Sequence, residues 1–342
     1  MDVGGPGVAV LSGQVRLPQL ARTVNDLGLA YNLLFLEEPW VLKASPSNCS
    51  RALSELVRRI RTRDESSPTN DSTDVATKCF PEDSRRSWGF TSDSYNKVLQ
   101  QVAAQESLRY SGFIGHSFGA VRLGYLRHIS LDWSILTRPF PVGVDGRQIV
   151  NARARAIEGM QRRVTGHQGM PRALILAEAE RRFDYLSALV EVGYTQTPAF
   201  TRRLARLDSD AQAAQRLAQQ YWGIYGAGAV SPAYLAYLEE VCSAGKGWPY
   251  SYGRYNSVTS VLEAKHASCF LLKRKPAELI YGNEPRCIVT SSSDTVTPAS
   301  LVAKSVLSRG RAIWVSSRER AHASFDQLDV CLKRLAGEKP AQ

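Results

Sequence analysis

The chain has 342 residues, with 44% hydrophobic and 22% charged side chains, the balance of a globular protein with a real core. Lys and Arg outnumber Asp and Glu by 43 to 32, a net charge of +11, but the arginines are dispersed in pairs such as Arg162-Arg163, Arg181-Arg182 and Arg202-Arg203. Those pairs fall in helical-looking stretches and read as solvated faces, so no nucleic-acid module stands out, and no run of about 18 apolar residues suggests a membrane-spanning helix.

From the N-terminus, Val8 to Leu11 is a short apolar run closed by Ser12-Gly13-Gln14, the pattern of a buried strand ending in a glycine turn. Leu17, Leu20, Val24 and Leu27 then recur at helical spacing before Gly28, and Tyr31 to Leu36 reads as a second strand ended by Glu37-Glu38-Pro39. Strand, helix and strand in this order predict one βαβ unit and a parallel sheet. A basic amphipathic helix is expected over Leu53 to Arg61. Residues 63–87 are polar enough that ordering them is expected to be unfavourable, so a mobile surface insertion is predicted. Ser94 to Ser107 presents Tyr95, Val98, Val102 and Ala103 on one helical face.

Next comes the most informative stretch. Tyr110 to Ile114 is an apolar run that leads directly into Gly115-His116-Ser117-Phe118-Gly119, and Val121 to His128 can be helical. A serine between two such glycines, with a strand before and a helix after, is the pattern of a strained strand-to-helix turn that exposes a nucleophile. Asp132 to Thr137 reads as the following strand, stopped by Arg138-Pro139-Phe140-Pro141. Helical patterns then dominate to about Lys265: 152–163, 171–192, 197–207, 211–224 and 232–244. The α/β rhythm returns with strands at Cys287–Thr290 and Ala312–Val315, a helix over Ala299–Leu307 between them, and a final amphipathic helix from Phe325 to Leu335.

A serine hydroxyl needs a base to take its proton, and the base needs a partner to fix its tautomer. Downstream of Ser117, Asp294 follows the strand at 287–290 and His322 follows the strand at 312–315, both at strand carboxyl ends where sites form in parallel sheets. Each has a plainer reading: Asp294 can cap the following helix, and His322 can lie on the surface beside Glu319 and Arg320. His116 is read as structural, pointing away from the site. His128, His167 and His266 lack strand-end context and are taken as ordinary; Tyr221, Trp222, Tyr225, Tyr234 and Tyr237 are taken as packing, with some available to line a pocket.

The order Ser117, Asp294, His322, with these motifs, resembles the α/β-hydrolase fold. That resemblance implies a mostly parallel, doubly wound sheet with an inserted helical cap: a first core part over 1–147, a cap over 148–274 and a second core part over 275–342. It implies a Ser117–His322–Asp294 triad and an oxyanion hole built from the backbone N–H of Phe118 and, from the loop after the first strand, of Gln14. Members often carry His-Gly where this chain has Ser12-Gly13, and the chain begins at what would be the third strand of the family, so the leading hairpin is expected to be missing or reduced. The implied activity is hydrolysis of an ester, thioester or amide of a small to medium, apolar substrate through an acyl-enzyme, with no metal or cofactor and a small-molecule substrate as partner.

Two other readings stand beside it. A non-catalytic binding protein of the same fold is compatible with the shortened N-terminal side and the positive charge. An acyltransferase resembling the malonyl-type acyl-carrier transferases shares the Gly-His-Ser-x-Gly motif, but that family needs a histidine about 100 residues after the serine, and none lies between His167 and His266. The six cysteines (Cys49, Cys79, Cys242, Cys269, Cys287, Cys331) form no CxxC pair, which predicts no zinc site, no disulfide framework and reduced thiols. The N-terminus lacks a basic n-region, so no signal peptide and a cytoplasmic setting are expected, and the sequons at Asn48 and Asn70 are discounted on that ground.

Overall fold

The computed structural model describes residues 1–5, 25, 32–36, 38, 45–62, 68–80, 88–167, 170–175, 177–196, 199–222, 224–225, 229–230, 232–249, 256–272 and 277–337. The strand expected at Val8–Leu11 and the donor expected at Gln14 lie outside the described residues, as does nearly all of the helix expected over 17–27. Residues 32–36, the second strand of the anticipated βαβ unit, are not a strand. Instead, the N-terminal ammonium of Met1 donates to the Leu34 carbonyl at 2.6 Å.

Among the described residues, four parallel strands make the sheet: β1 (Gly112–His116), β2 (Trp133–Thr137), β5 (Arg286–Ser291) and β6 (Ala312–Ser317), adjacent in that order. The first and last residues of β1 oppose those of β2, Gly112 with Trp133 and His116 with Thr137. Alternate side chains point to opposite faces of a strand, and the burial follows that rule. Ile114, Ile135, Val289 and Val315 join a cluster under the C-terminal helix, whose buried residues are Leu328 and Cys331. Phe113, Leu136 and Ile288 belong to the larger cluster on the other face. β1, β2 and β5 are buried on both faces, which explains their near-continuous apolar runs, whereas Trp314 and Ser316 leave one face of the edge strand β6 exposed. Beyond β1, Asp2 adds a parallel bridge: its N–H donates to the Ile114 carbonyl at 2.8 Å and its carbonyl accepts from His116 N–H at 2.9 Å.

Between β2 and β5, which are neighbours in the sheet, the chain inserts a block of helices. They are Gly146–Thr165, Arg172–Ile175, Ala179–Thr195, Phe200–Leu207, Ala211–Trp222, Pro232–Ala244 and Val258–Leu272, with a two-residue antiparallel pair, β3 (Ile224–Tyr225) and β4 (Ala229–Val230). The first begins where Asp145 accepts a hydrogen bond from Arg147 N–H and ends at Gly166 in the left-handed conformation, φ 77°. The single helix expected over 171–192 is two.

Two further expectations are overturned. Of the 63–87 stretch, 63–67 and 81–87 lie outside the described residues, and the part between them carries a helix over Pro68–Cys79, packed beside the helix Ser47–Thr62, with Val75 fully buried. Average polarity hides that one apolar position and Cys79, which forms a disulfide with Cys49. The thiols are not reduced: Cys242 pairs with Cys269 and Cys287 with Cys331 as well, so all six cysteines are in disulfides. Separations of 30, 27 and 44 residues bring no pair together in sequence, and only the fold sets their Cα atoms 4.8, 5.1 and 5.6 Å apart. Loops of that size correspond to roughly 3–4 kcal/mol of chain-entropy stabilisation each. The thiol argument for a cytoplasmic setting falls with them, since disulfides persist mainly in oxidising compartments. No described helix is long and apolar enough to cross a membrane.

Candidate active site

Ser117 sits at the turn between β1 and the short helix Gly119–Leu123, with φ at 48°. A non-glycine residue in that region is costly and is kept only where its surroundings impose it. Here Ser117 N–H donates to the Thr137 carbonyl at 2.9 Å, and its own carbonyl accepts from Phe140 N–H at 2.8 Å, so neighbouring β2 and its loop hold the turn. The flanking glycines are steric requirements. A Cβ on Gly115 would come within 2.6 Å of the Phe113 ring and 3.1 Å of the Gly119 backbone.

The three residues singled out by strand-end position are brought together. His322 Nε2 lies 2.9 Å from Ser117 Oγ, and His322 Nδ1 lies 2.9 Å from Asp294 Oδ2. His322 and Asp294 are almost wholly buried, while Ser117 keeps some exposure to a cavity. Asp294 also accepts from the backbone N–H groups of Val296 (2.7 Å) and Thr297 (3.1 Å) and from the Thr297 hydroxyl (2.8 Å). Burial by itself would push the Asp294 carboxyl up; the charge and hydrogen bond of His322 and the two amides outweigh it and hold the group far below the ordinary carboxylate range. An ionised Asp294 accepting from Nδ1–H leaves Nε2 of a neutral His322 as acceptor for the serine proton.

His116, beside the serine, stacks behind the site. Its ring centre is 5.0 Å from that of His322 and 4.4 Å from that of Phe325, and Nδ1 meets the Thr137 hydroxyl at 2.9 Å. Burial, then the neighbouring His322 and Arg138, keep its imidazole neutral.

Sequence reasoning passed over Arg138, which it took as a strand stop. The residue is fully buried, has φ 47°, and reaches the loop that carries His322. Its Nη1 donates to Asp326 Oδ1 (2.8 Å) and the Ser324 carbonyl (3.3 Å), its Nη2 to the Glu319 carbonyl and the Ser317 hydroxyl (both 3.1 Å), and its Nε lies 3.9 Å from Asp294 Oδ2. The available signal was an arginine directly after an apolar strand, at the sheet edge where the other site residues lie.

The N-terminal segment completes the turn's surroundings. Gly4 and Gly5 have φ of 78° and 52°, and a Cβ on Gly4 would lie 2.1 Å from the His116 carbonyl oxygen and 3.0 Å from Ser117 Cβ. Glycine is required for the backbone to pass this close. Gly5 and Phe118 both line the cavity that Ser117 opens into. That cavity measures about 270 Å³, and its apolar wall is made by Phe140, Ile149, Val190, Val241 and Val296. Most of its lining comes from the inserted helices. His266, read from sequence as ordinary, lines it too, and Tyr194 places its ring centre 5.3 Å from that of His322. The inserted helices also touch the acid loop: the Thr295 hydroxyl donates to the Gly193 carbonyl at 2.8 Å, and Gln196 Nε2 to the Ser293 carbonyl at 3.1 Å.

A parallel sheet, a serine at a strained strand-to-helix turn, an acid and a histidine after later strands, and helices inserted between neighbouring strands make up the architecture of the α/β-hydrolase fold. No protein-family model matches the chain, and no curated protein sequence matches it. Among solved structures it is similar to an alpha/beta hydrolase enzyme from a Medee basin deep-sea metagenome library, with 12% identity, 74% of each chain covered and a TM-score of 0.33. It is also similar to a proline iminopeptidase-related protein from Thermus thermophilus, with 18% identity, 72% of this chain and 71% of that one covered, and a TM-score of 0.31. At such scores the chain's own geometry has to carry any functional reading.

Proposed function

We propose that the chain is a serine hydrolase that cleaves an ester, thioester or amide through an acyl-enzyme. The observation that carries this is the continuous hydrogen-bonded line from Ser117 Oγ through His322 to an ionised Asp294, at 2.9 Å in both steps. In the first half-reaction Ser117 Oγ bonds to the substrate carbonyl carbon as its proton passes to His322 Nε2. The tetrahedral intermediate then expels the leaving group, which takes that proton from His322. In the second, water gives a proton to the same nitrogen and attacks the acyl carbon; the Ser117 Oγ–C bond breaks, and Ser117 regains its proton as the acid departs. Asp294 orients the ring and stabilises the imidazolium.

The oxyanion would be met by the amide of Phe118, which opens the helix after the turn, where the first N–H groups lack intrahelical partners. For the second donor, Gly5, which lines the cavity together with Ser117 and Phe118, offers its N–H; Gln14 lies outside the described residues. The inserted helices would act as the cap that sets substrate size and excludes water, with the apolar wall receiving the hydrocarbon part. Turnover of short neutral p-nitrophenyl esters tests the reading. Ser117→Ala is expected to lower kcat/KM by at least ~10³-fold; a folded Ser117→Ala protein that retains wild-type turnover would overturn it.

A further inference from the structure

The cavity beside Ser117 has a polar side that the hydrolytic chemistry does not use. Three helices of the insertion bring Arg153, Glu191 and Lys265 to its wall, the charged residues of the lining among the described residues apart from the neutral His266. Two cations thus face one carboxylate. Burial, then Arg153, pull the His266 imidazole down to about 3, so it adds no charge. Its Nδ1 donates to the Leu262 carbonyl at 2.7 Å, which leaves Nε2 to accept from the Tyr237 hydroxyl, also at 2.7 Å. That proton chain is complete within the wall.

Other polar atoms of the same wall have no partner among the described residues: Arg153 Nε, the Tyr221 hydroxyl and Trp248 Nε1 are buried without a hydrogen bond from them. Tyr221 as a whole is only 8% exposed, and the residue lines the cavity. Buried polar atoms without partners are rare and each needs an explanation. Three around one cavity, all able to donate, call for an acceptor. Lys265 is held at the same wall by aromatic rings, its Nζ 3.6 Å from the Tyr221 ring centre and 5.4 Å from that of Tyr237, and gives one hydrogen bond to the Tyr221 carbonyl. An ammonium has three donors.

We propose that this wall receives a carboxylate carried by the substrate apart from its scissile bond, held by Arg153, Lys265 and the Tyr221 hydroxyl. The proposal rests on the serine hydrolase reading for the scissile end and names the substrate class: esters, thioesters or amides of an acid that bears a second carboxyl group. A carboxylate supplies acceptors for the unpaired donors and balances the excess cation. The environment supports this. Burial pulls the Lys265 ammonium down to about 7 and pushes the Glu191 carboxyl up, so the wall penalises its own charges, and an incoming anion would relieve the cationic part of that cost. The walls of Ile149, Val190 and Val241 then fit the hydrocarbon between the two ends.

The test compares p-nitrophenyl hemiglutarate with p-nitrophenyl valerate, which lacks only the second acid. The wild type is expected to favour the hemiglutarate at least tenfold in kcat/KM. Arg153→Met should reduce that preference at least tenfold, with Arg153→Lys recovering part of it. A wild-type preference near one, or a preference unchanged in Arg153→Met, overturns the proposal. If neither ester turns over, the hydrolase reading fails on its own account, and calorimetric titration with glutarate decides the wall's role. Binding that weakens at least tenfold in Arg153→Met supports it, whereas no binding to the wild type, or equal binding to both, overturns it.

Discussion

Ser117 is held with φ at 48° by hydrogen bonds from β2 and the loop that follows it, and nothing in its own side chain favours that conformation. Such strain is kept where a turn must present a group, and here the group faces His322 Nε2. Asp294 and His322 occupy fixed positions for a reason one step removed. Arg138 takes up carbonyls at Glu319 and Ser324, on both sides of His322, and the Asp326 carboxylate beyond them. Its guanidinium hydrogen-bonds this loop and Ser317 rather than Ser117 or a residue of the cavity wall, so its part is to position the histidine. Displacement of a catalytic group by about 1 Å can cost ~100-fold in rate. Arg138→Met is therefore expected to lower kcat between about 10- and 100-fold with KM changed less than about threefold, as read from steady-state kinetics on a neutral ester. A KM rise with kcat unchanged would show that Arg138 acts on substrate binding instead.

At the level of elements, what could be read from sequence was what is written locally. The Gly115–Gly119 motif, the strands expected over 132–137, 287–290 and 312–315, and the serial order of serine, acid and histidine all depend on neighbours in the chain, and the structure has the turn there and strands over 133–137, 286–291 and 312–317. What escaped depends on distant partners. Residues 68–79 are polar on average, yet one buried valine and a disulfide to Cys49 hold them as a helix. The anticipated strand at 31–36 is apolar, but residues 32–36 take part in no sheet, and it is Asp2 that bridges to β1. Propensity marks a segment as able to form a strand; only an available edge makes it one. Gly4 and Gly5 carried no periodic signal at all; the meaning of Gly4 appears only where the His116 carbonyl passes 2.1 Å from a would-be Cβ, and that of Gly5 only where it lines the cavity. Arg138 and His266 escaped for the same reason, since their roles come from the loop and helices folded over them.

On the scale of the whole molecule, one buried charge cluster joins three parts of the chain. Arg122, on the helix after Ser117, meets Asp2 of the N-terminal segment (3.2 Å), Glu38, and Glu240 of the inserted helices (3.0 Å). Three carboxylates around one guanidinium leave excess negative charge, and burial, reinforced by Glu38, pushes the Glu240 carboxyl up to about 8. Between its unfolded value of 4.5 and about 8 the folded state holds a proton that the unfolded state has lost, so this group's stabilising effect is full below that window and is lost as pH rises through it, by at most about 1.4 kcal/mol per pH unit. Melting temperatures of the wild type should accordingly fall more steeply than those of Glu240→Gln as pH is raised across the window; parallel curves would contradict the assignment. The three disulfides likewise tie distant segments together, one of them joining β5 to the C-terminal helix. All of this frames a single serine, and the most direct measurement is on that residue: reaction with a fluorophosphonate, followed by peptide mass mapping. The account predicts one adduct, on the peptide containing Ser117, absent from Ser117→Ala and strongly slowed in His322→Ala. A folded wild-type protein that takes no adduct, or takes it on another residue, would contradict it.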